Sequence, residues 1–123
     1  MKTPYSFFNQ LRVRWAEVDR QGIVFNGHYL TYFDVAITEY WRAINLPYPD
    51  GMADSGSDLY LVKTLINYKG SAEYDDILDI GLVPPVPVET IRSIGNAAGD
   101  GARMALFNRH HRRRALALAR RID

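Results

Sequence analysis

Residues 18–41 read "VDRQGIVFNGHYLTYFDVAITEYW", and this stretch decides the fold. Its first part carries no regular apolar period, and Gly22 and Gly27 punctuate it as a crossing loop. From His28 the period becomes helical. Tyr29, Tyr32, Phe33, Ala36, Tyr40 and Ile44 follow i, i+3, i+4 spacing, and Ile37 and Trp41 widen the stripe. The pattern predicts a long helix over 28–44. Asn26 is the expected N-cap, because its side-chain oxygen can accept an orphan amide of the first turn. Asn45 is suited to the left-handed position after the last turn, and Pro47 cannot continue the helix. One carboxylate, Asp19, stands in the loop seven residues before Asn26.

Upstream, "YSFFNQLRVRW" (5–15) alternates with a period of two, so a half-buried strand is predicted there. Tyr5, Phe7, Leu11, Val13 and Trp15 share one face. Downstream, 46–58 is rich in Pro, Gly, Ser and Asp and reads as a loop. "LYLVKTLINYKGS" (59–71) is apolar on both faces and predicts a central, covered strand. "EYDDILDIGLV" (73–83) turns, with Asp75 and Asp76 organising the turn, and begins a third strand. The order strand, loop, helix, loop, strand, turn, strand predicts an α+β domain. In it a long helix lies across one face of a mainly antiparallel sheet.

Composition sets the outer bounds. A chain of 123 residues with 47% apolar and 24% charged residues is ordinary for one globular domain. The absence of cysteine excludes disulfides, a thiolate nucleophile and a Cys-based zinc site. No run approaches the ~18 apolar residues of a membrane span. The first residues, "MKTPYSFFNQ", hold no apolar run long enough for a signal peptide. A cytoplasmic protein with no membrane partner is the expectation.

Charge and aromatics divide the chain. Residues 1–83 hold 7 Lys+Arg against 11 Asp+Glu, whereas 84–123 hold 8 against 3, every base an arginine. Of the 15 aromatics only Phe107 follows residue 83. The division is therefore a core over 1–83 and an atypical Arg-rich segment over 84–123. Pro84, Pro85 and Pro87 disfavour a central strand, and "GNAAGDGA" (95–102) is poor in strand formers. Three origins are open for this segment: degraded last strands, a basic appendage for an acidic partner such as nucleic acid, or a slip of reading frame near residue 83. The third is favoured, because an out-of-frame reading of a GC-rich gene yields Arg, Ala, Gly and Pro with few aromatics. His110 and His111 are adjacent and point in different directions in either regular structure, so no metal pair is expected there.

The run "DRQGIVFNGHYLTYFD" (19–34) and the later "YKGSAEYDDIL" (68–78) resemble the hotdog-fold acyl-CoA thioesterases, and among them the 4-hydroxybenzoyl-CoA thioesterase group. The positions that carry the likeness are Asp19, Gly22, Ile23, Val24, Phe25 and Tyr29, with the Tyr-Asp-Asp turn at 74–76. The resemblance covers roughly residues 8 to 82. It implies a sheet wrapped around the central helix, a homodimer or homotetramer with sites at the subunit interface, and hydrolysis of an acyl-CoA thioester. No metal or redox cofactor is implied, coenzyme A being part of the substrate. Asp19 matches the catalytic carboxylate, as nucleophile or general base. The backbone N–H at Asn26 matches the group that faces the thioester carbonyl.

Elementary chemistry agrees with this. Thioester hydrolysis needs an attacking oxygen and a stabiliser for the charge that develops on the carbonyl oxygen. A helix start supplies unpaired N–H donors and a partial positive charge, and one oxyanion donor is worth about 3–4 kcal/mol in the transition state. Gly22 and Gly27 would let backbone approach substrate. Phe25, His28 and Tyr29 are candidate substrate contacts, and Lys69 is a candidate contact for a CoA phosphate. Many thioesterases of this type carry histidine where Asn26 stands; here the histidine is His28. Two other functions compete. Hydratases and dehydratases of the same fold pair their aspartate with a histidine about five residues on, but Val24 stands there. A non-catalytic binder would use the basic tail, yet the tail lacks a nucleic-acid recognition motif.

Overall fold

The computed structural model describes residues 5–45, 63–83 and 102–122. The expected loop over 46–58, the first residues of the predicted second strand (59–62) and the proline-rich run from Pro84 lie outside them. The elements are β1 (Phe7–Arg12), a single 3-10 turn (Trp15–Glu17), α1 (His28–Ala43), β2 (Lys63–Tyr68), β3 (Ile77–Val83), β4 (Ala102–Asn108) and β5 (His111–Ile122). The strands form one antiparallel sheet in the order β1-β3-β4-β5-β2. The domain is α+β, as the sequence predicts.

The helix forms where the stripe predicts it. Tyr29, Tyr32, Phe33, Ala36, Ile37, Tyr40 and Trp41 are buried, and they share one cluster with Leu78, Ile80 and Leu82 of β3 and Met104 and Leu106 of β4. Asn45 ends the helix in the left-handed conformation, φ 63°, with its N–H donating to the Arg42 carbonyl. The Tyr-Asp-Asp turn is also as expected. Asp75 takes φ 69° and pairs with Arg12, the Asp76 carboxylate accepts the Glu73 amide at 2.8 Å, and the backbones of Asp75 and Asp76 bond to Val13.

Three expectations are corrected. Trp15 does not continue β1: it begins the 3-10 turn and is 72% exposed, stacked edge-on to Tyr74. β2 is not central. It pairs only with β5 at the edge of the sheet, and Leu65 and Tyr68 are exposed. The covered strand is β3, second in the sheet, paired on both sides and buried from Leu78 to Leu82. Asn26 does not cap the helix: Gly27 holds the N-cap position, and no side chain bonds the first turn.

The described part of the C-terminal segment, 102–122, lies within the sheet and not beside it. β4 pairs with both β3 and β5, so these strands join β2 to the rest of the sheet. For "HHRRRALALARR" (110–121) the sequence allows a short basic helix or a strand through Leu116 and Leu118, and the strand is what forms. Met104, Leu106, Ala117 and Ala119 face the helix side and are buried, while Arg103, Leu118 and Arg120 face away and are exposed. A β-bulge between Leu106 and Phe107 shifts the register by one residue, leaving Leu116 without a partner on β4. The Leu116 carbonyl instead accepts the amides of Lys69 and Gly70 at the end of β2.

Candidate active site

The loop before α1 is a small hairpin. Val18 bridges Val24, the Asp19 amide donates to the Ile23 carbonyl at 2.9 Å, and the Gly22 amide donates back to the Asp19 carbonyl at 3.0 Å. Gly22 has φ 82°, the left-handed position such a turn requires. That requirement accounts for the glycine, and not a close approach to substrate: Gly22 does not line the cavity described below. The second arm is sealed to the segment before β3 by the Ile23–Glu73 bridge and by the Val24 amide on the Ala72 carbonyl. Helix α1 holds the same segment, since the Tyr29 hydroxyl accepts the Ala72 amide at 3.0 Å. Burial raises the Tyr29 pKa, so the hydroxyl stays protonated at neutral pH.

A cavity of about 590 Å³ opens between this hairpin, the start of α1 and the end of β2. Of the eight residues singled out in the sequence, Asp19, Phe25, Asn26 and Tyr29 line it. Gly22, Gly27, His28 and Lys69 do not. His28 is half-buried with its ring edge-on to Phe25, and Lys69 is exposed beside the cavity, its amide tied to Leu116. Gly27 serves as the helix N-cap.

Asp19 is half-buried, and its Oδ1 accepts the Gln21 amide at 2.8 Å. That is a local Asx turn. Its other oxygen has no hydrogen-bond partner among the described residues. The Asn26 carbonyl accepts the Tyr29 amide and the Tyr68 hydroxyl, the latter at 3.1 Å. The amides of Asn26 and Gly27 meet no acceptor among the described residues. The cavity lining thus includes a carboxylate residue, Asp19, and a residue of the turn that opens the helix, Asn26, whose amide has no described acceptor.

Two further residues escaped the sequence reading. Tyr68 lines the cavity from the edge strand. It was assigned to a central strand, and only the strand order reveals it. Glu17 is 6% exposed, one of two buried acids among the described residues; the other, Asp79 on β3, is 3% exposed. Its Oε1 accepts the Arg14 amide at 2.8 Å and the Tyr32 hydroxyl at 2.9 Å. Its Oε2 accepts the Arg14 guanidinium at 2.9 Å. Burial pushes the Glu17 pKa up, but the hydrogen bonds from Arg14 and Tyr32 outweigh it and the net shift is downward. Burial and the neighbouring Glu17 raise the Tyr32 pKa strongly. The spacing Arg14–Glu17, a charged pair three residues apart beside Asp19, was the available signal.

Among the described residues no group of three or more His, Asp or Glu is placed to hold a metal ion. No described helix is long and apolar enough to cross a membrane.

The helix-on-sheet architecture and the hairpin at the helix start define a hotdog-fold chain of the thioesterase type. A family model described as "Thioesterase superfamily" matches residues 21–84, more than half of the chain, and the chain belongs to that family. A second model, described as the C-terminal domain of RACo, the ASKHA domain, matches residues 71–123, less than half of the chain. A protein of Aquifex aeolicus (strain VF5) provisionally named an esterase is 36% identical over 76 residues, 62% of this chain and 59% of that protein. The acyl-CoA thioesterase YbgC of Haemophilus influenzae is 35% identical over 69 residues, 55% of this chain and 50% of that protein. The chain therefore aligns with about half to three-fifths of the length of these curated relatives. The crystal structure of a hypothetical protein from Aquifex aeolicus superposes with a TM-score of 0.71 at 28% identity, covering 94% of this chain and 86% of that one.

Proposed function

We propose that this chain hydrolyses an acyl-CoA thioester to the free acid and coenzyme A, with Asp19 as nucleophile or general base. The turn amide at Asn26 receives the carbonyl oxygen as it becomes an oxyanion. The acyl–sulfur bond breaks, water supplies the hydroxyl of the acid, and the proton goes to the leaving thiolate. The carrying observation is that Asp19 and Asn26 line one cavity, and that one oxygen of Asp19 and the amide of Asn26 meet no partner among the described residues. Membership of the thioesterase superfamily supports the same chemistry. Phe25, Tyr29 and Tyr68 give the cavity an aromatic wall suited to an aryl or medium-length acyl group.

The reading extends to a cytoplasmic homodimer or homotetramer that needs no metal or redox cofactor. Exposed apolar side chains on the outward face of α1, Leu30 and Val35, and on the edge strand, Leu65 and Tyr68, support a second copy packing there. A hydratase role is disfavoured, because position 24 is a valine buried in the core. We also keep the division near residue 83 as a slip of reading frame, supported by the end of the thioesterase match at residue 84. Translating the other frames beyond codon 83 tests it. A frame that restores aromatic-rich alternating strands supports the slip, and its absence rejects it.

The test of function is thiol release from a panel of aryl- and medium-chain acyl-CoAs, comparing the wild type with Asp19→Asn. Turnover that falls in the variant supports the reading, and equal turnover removes Asp19 from the mechanism.

A further inference from the structure

A buried carboxylate is costly unless its partners recover the lost hydration. Glu17 is therefore a residue to explain, and its surroundings supply the explanation. Its side chain accepts from α1, through the Tyr32 hydroxyl, and from the end of the first strand segment, through the Arg14 amide and guanidinium. Its backbone carbonyl accepts the Phe25 amide at 3.0 Å. Glu17 thus sits at the root of the hairpin and touches both arms. Asp19 lies two residues beyond it on one arm; Asn26 follows Phe25 on the other.

The ion pair does not account for this arrangement. Arg14 is 78% exposed, so solvent screens most of its attraction for the carboxylate. The directional part is inside, where one oxygen, Oε1, holds both the Arg14 amide and the Tyr32 hydroxyl. Tyr32 is one helical turn from Tyr29, which lines the cavity and holds the Ala72 amide. A single carboxylate therefore fixes the hairpin root against the helix whose opening turn carries the Asn26 amide.

We propose that Glu17 is the positioning residue of this site: with Tyr32 it sets the distance between the Asp19 carboxylate and the Asn26 amide. The inference rests on the hydrolase reading given above. Misplacement of reacting groups by about 1 Å can cost about 10²-fold in rate. A positioning role therefore predicts losses in kcat with little change in KM.

The experiment compares Glu17→Ala, Glu17→Gln and Tyr32→Phe, each alone and combined with Asp19→Asn, on the best acyl-CoA of the panel. Glu17→Ala should lower kcat by about 10²-fold and Tyr32→Phe by about 10-fold, with KM moving less than about threefold. Glu17→Gln keeps an oxygen for both internal donors and should restore most of the activity. In the Asp19→Asn background the same changes should add almost nothing, because Glu17 acts through Asp19. Tyr32→Phe removes only a hydroxyl, so it decides the matter if Glu17→Ala does not fold. Wild-type kcat in Tyr32→Phe, or full losses persisting in the Asp19→Asn background, overturns the proposal while leaving the hydrolase reading in place. Wild-type turnover in Asp19→Asn overturns the reading itself. Hydrogen exchange at the Gln21 amide, which donates to Asp19, gives a readout free of turnover: it should quicken in Glu17→Ala and Tyr32→Phe, and unchanged protection in both counts against positioning.

Discussion

The two ends of the sheet's core are built differently. Between α1 and β3, large side chains fill the buried side: Tyr29, Tyr32, Phe33 and Trp41 from the helix, and Leu78, Ile80 and Leu82 from the strand. On β5 the phases are reversed in size. Ala117 and Ala119 take the buried positions, and Leu118, 38% exposed, takes the outward one. Both regions alternate, but only the first places bulk where burial rewards it. The candidate site lies at the start of that helix: residues of the hairpin from Asp19 to Asn26 and Tyr29 of α1 line it, with Tyr68, Gly70 and Ser71 opposite. One region lies beside the candidate site and holds the large apolar side chains; the other joins β2 to the sheet.

The largest expected effect tests where the chemistry lies. Asp19→Asn should lower turnover by about 10²–10⁴-fold, the range typical of losing a general base, with an unchanged melting temperature. Leu118→Ala in the second region should leave turnover within about twofold of wild type. If the two variants lose activity equally, the division of labour is wrong.

The next effect concerns volume. Leu78 is fully buried on β3, and Leu78→Ala should cost about 2–5 kcal/mol in denaturant unfolding. Leu118→Ala should cost less than about 1 kcal/mol. Equal costs would show that another surface covers the outer face of β5 in solution. A smaller effect lies in the hairpin. Gly22→Ala meets no atom within 4 Å but must hold φ 82°, so it should cost about 1 kcal/mol from backbone strain alone. A stability equal to wild type would mean that the turn relaxes to another type.

How much of this was legible follows from the same contrast. The helix was readable because six large or β-branched residues, with Ala36 among them, repeat at helical spacing and all face one way. Asn45 was readable because the left-handed position selects few residue types. Asp19, Phe25, Asn26 and Tyr29 were found through motif order, and they do line one cavity. The strand order was not readable. Leu59, Leu61 and Leu65 mark apolar faces in the sequence, but which neighbour covers a face depends on pairing far along the chain, and β2 is an edge. β4 was hidden, and β5 stayed undecided between helix and strand, because alanine carries little strand signal and arginine fills the outward phase. Glu17 was not singled out, since nothing local says that Tyr32, fifteen residues on, donates to it.

The smallest effect is a pH dependence, and its sign follows from Glu17. The folded-state pKa lies below the value of 4.5 for an unperturbed glutamate, despite the opposing effect of burial. The unfolded chain therefore binds this proton at higher pH than the folded chain does. The stability that Glu17 contributes is complete above about pH 4.5, and it is lost as the pH falls through the lower folded value. Glu17→Gln cannot take up that proton. In thermal unfolding between about pH 3 and 6, the wild type should lose more stability toward the acid end than Glu17→Gln does, and above about pH 6 the gap between the two should be constant. Parallel curves would mean that the carboxylate is no better held in the folded chain than in water. In that case the site-bearing region would owe its order to packing and backbone hydrogen bonds, and the two regions would differ in the volume they bury.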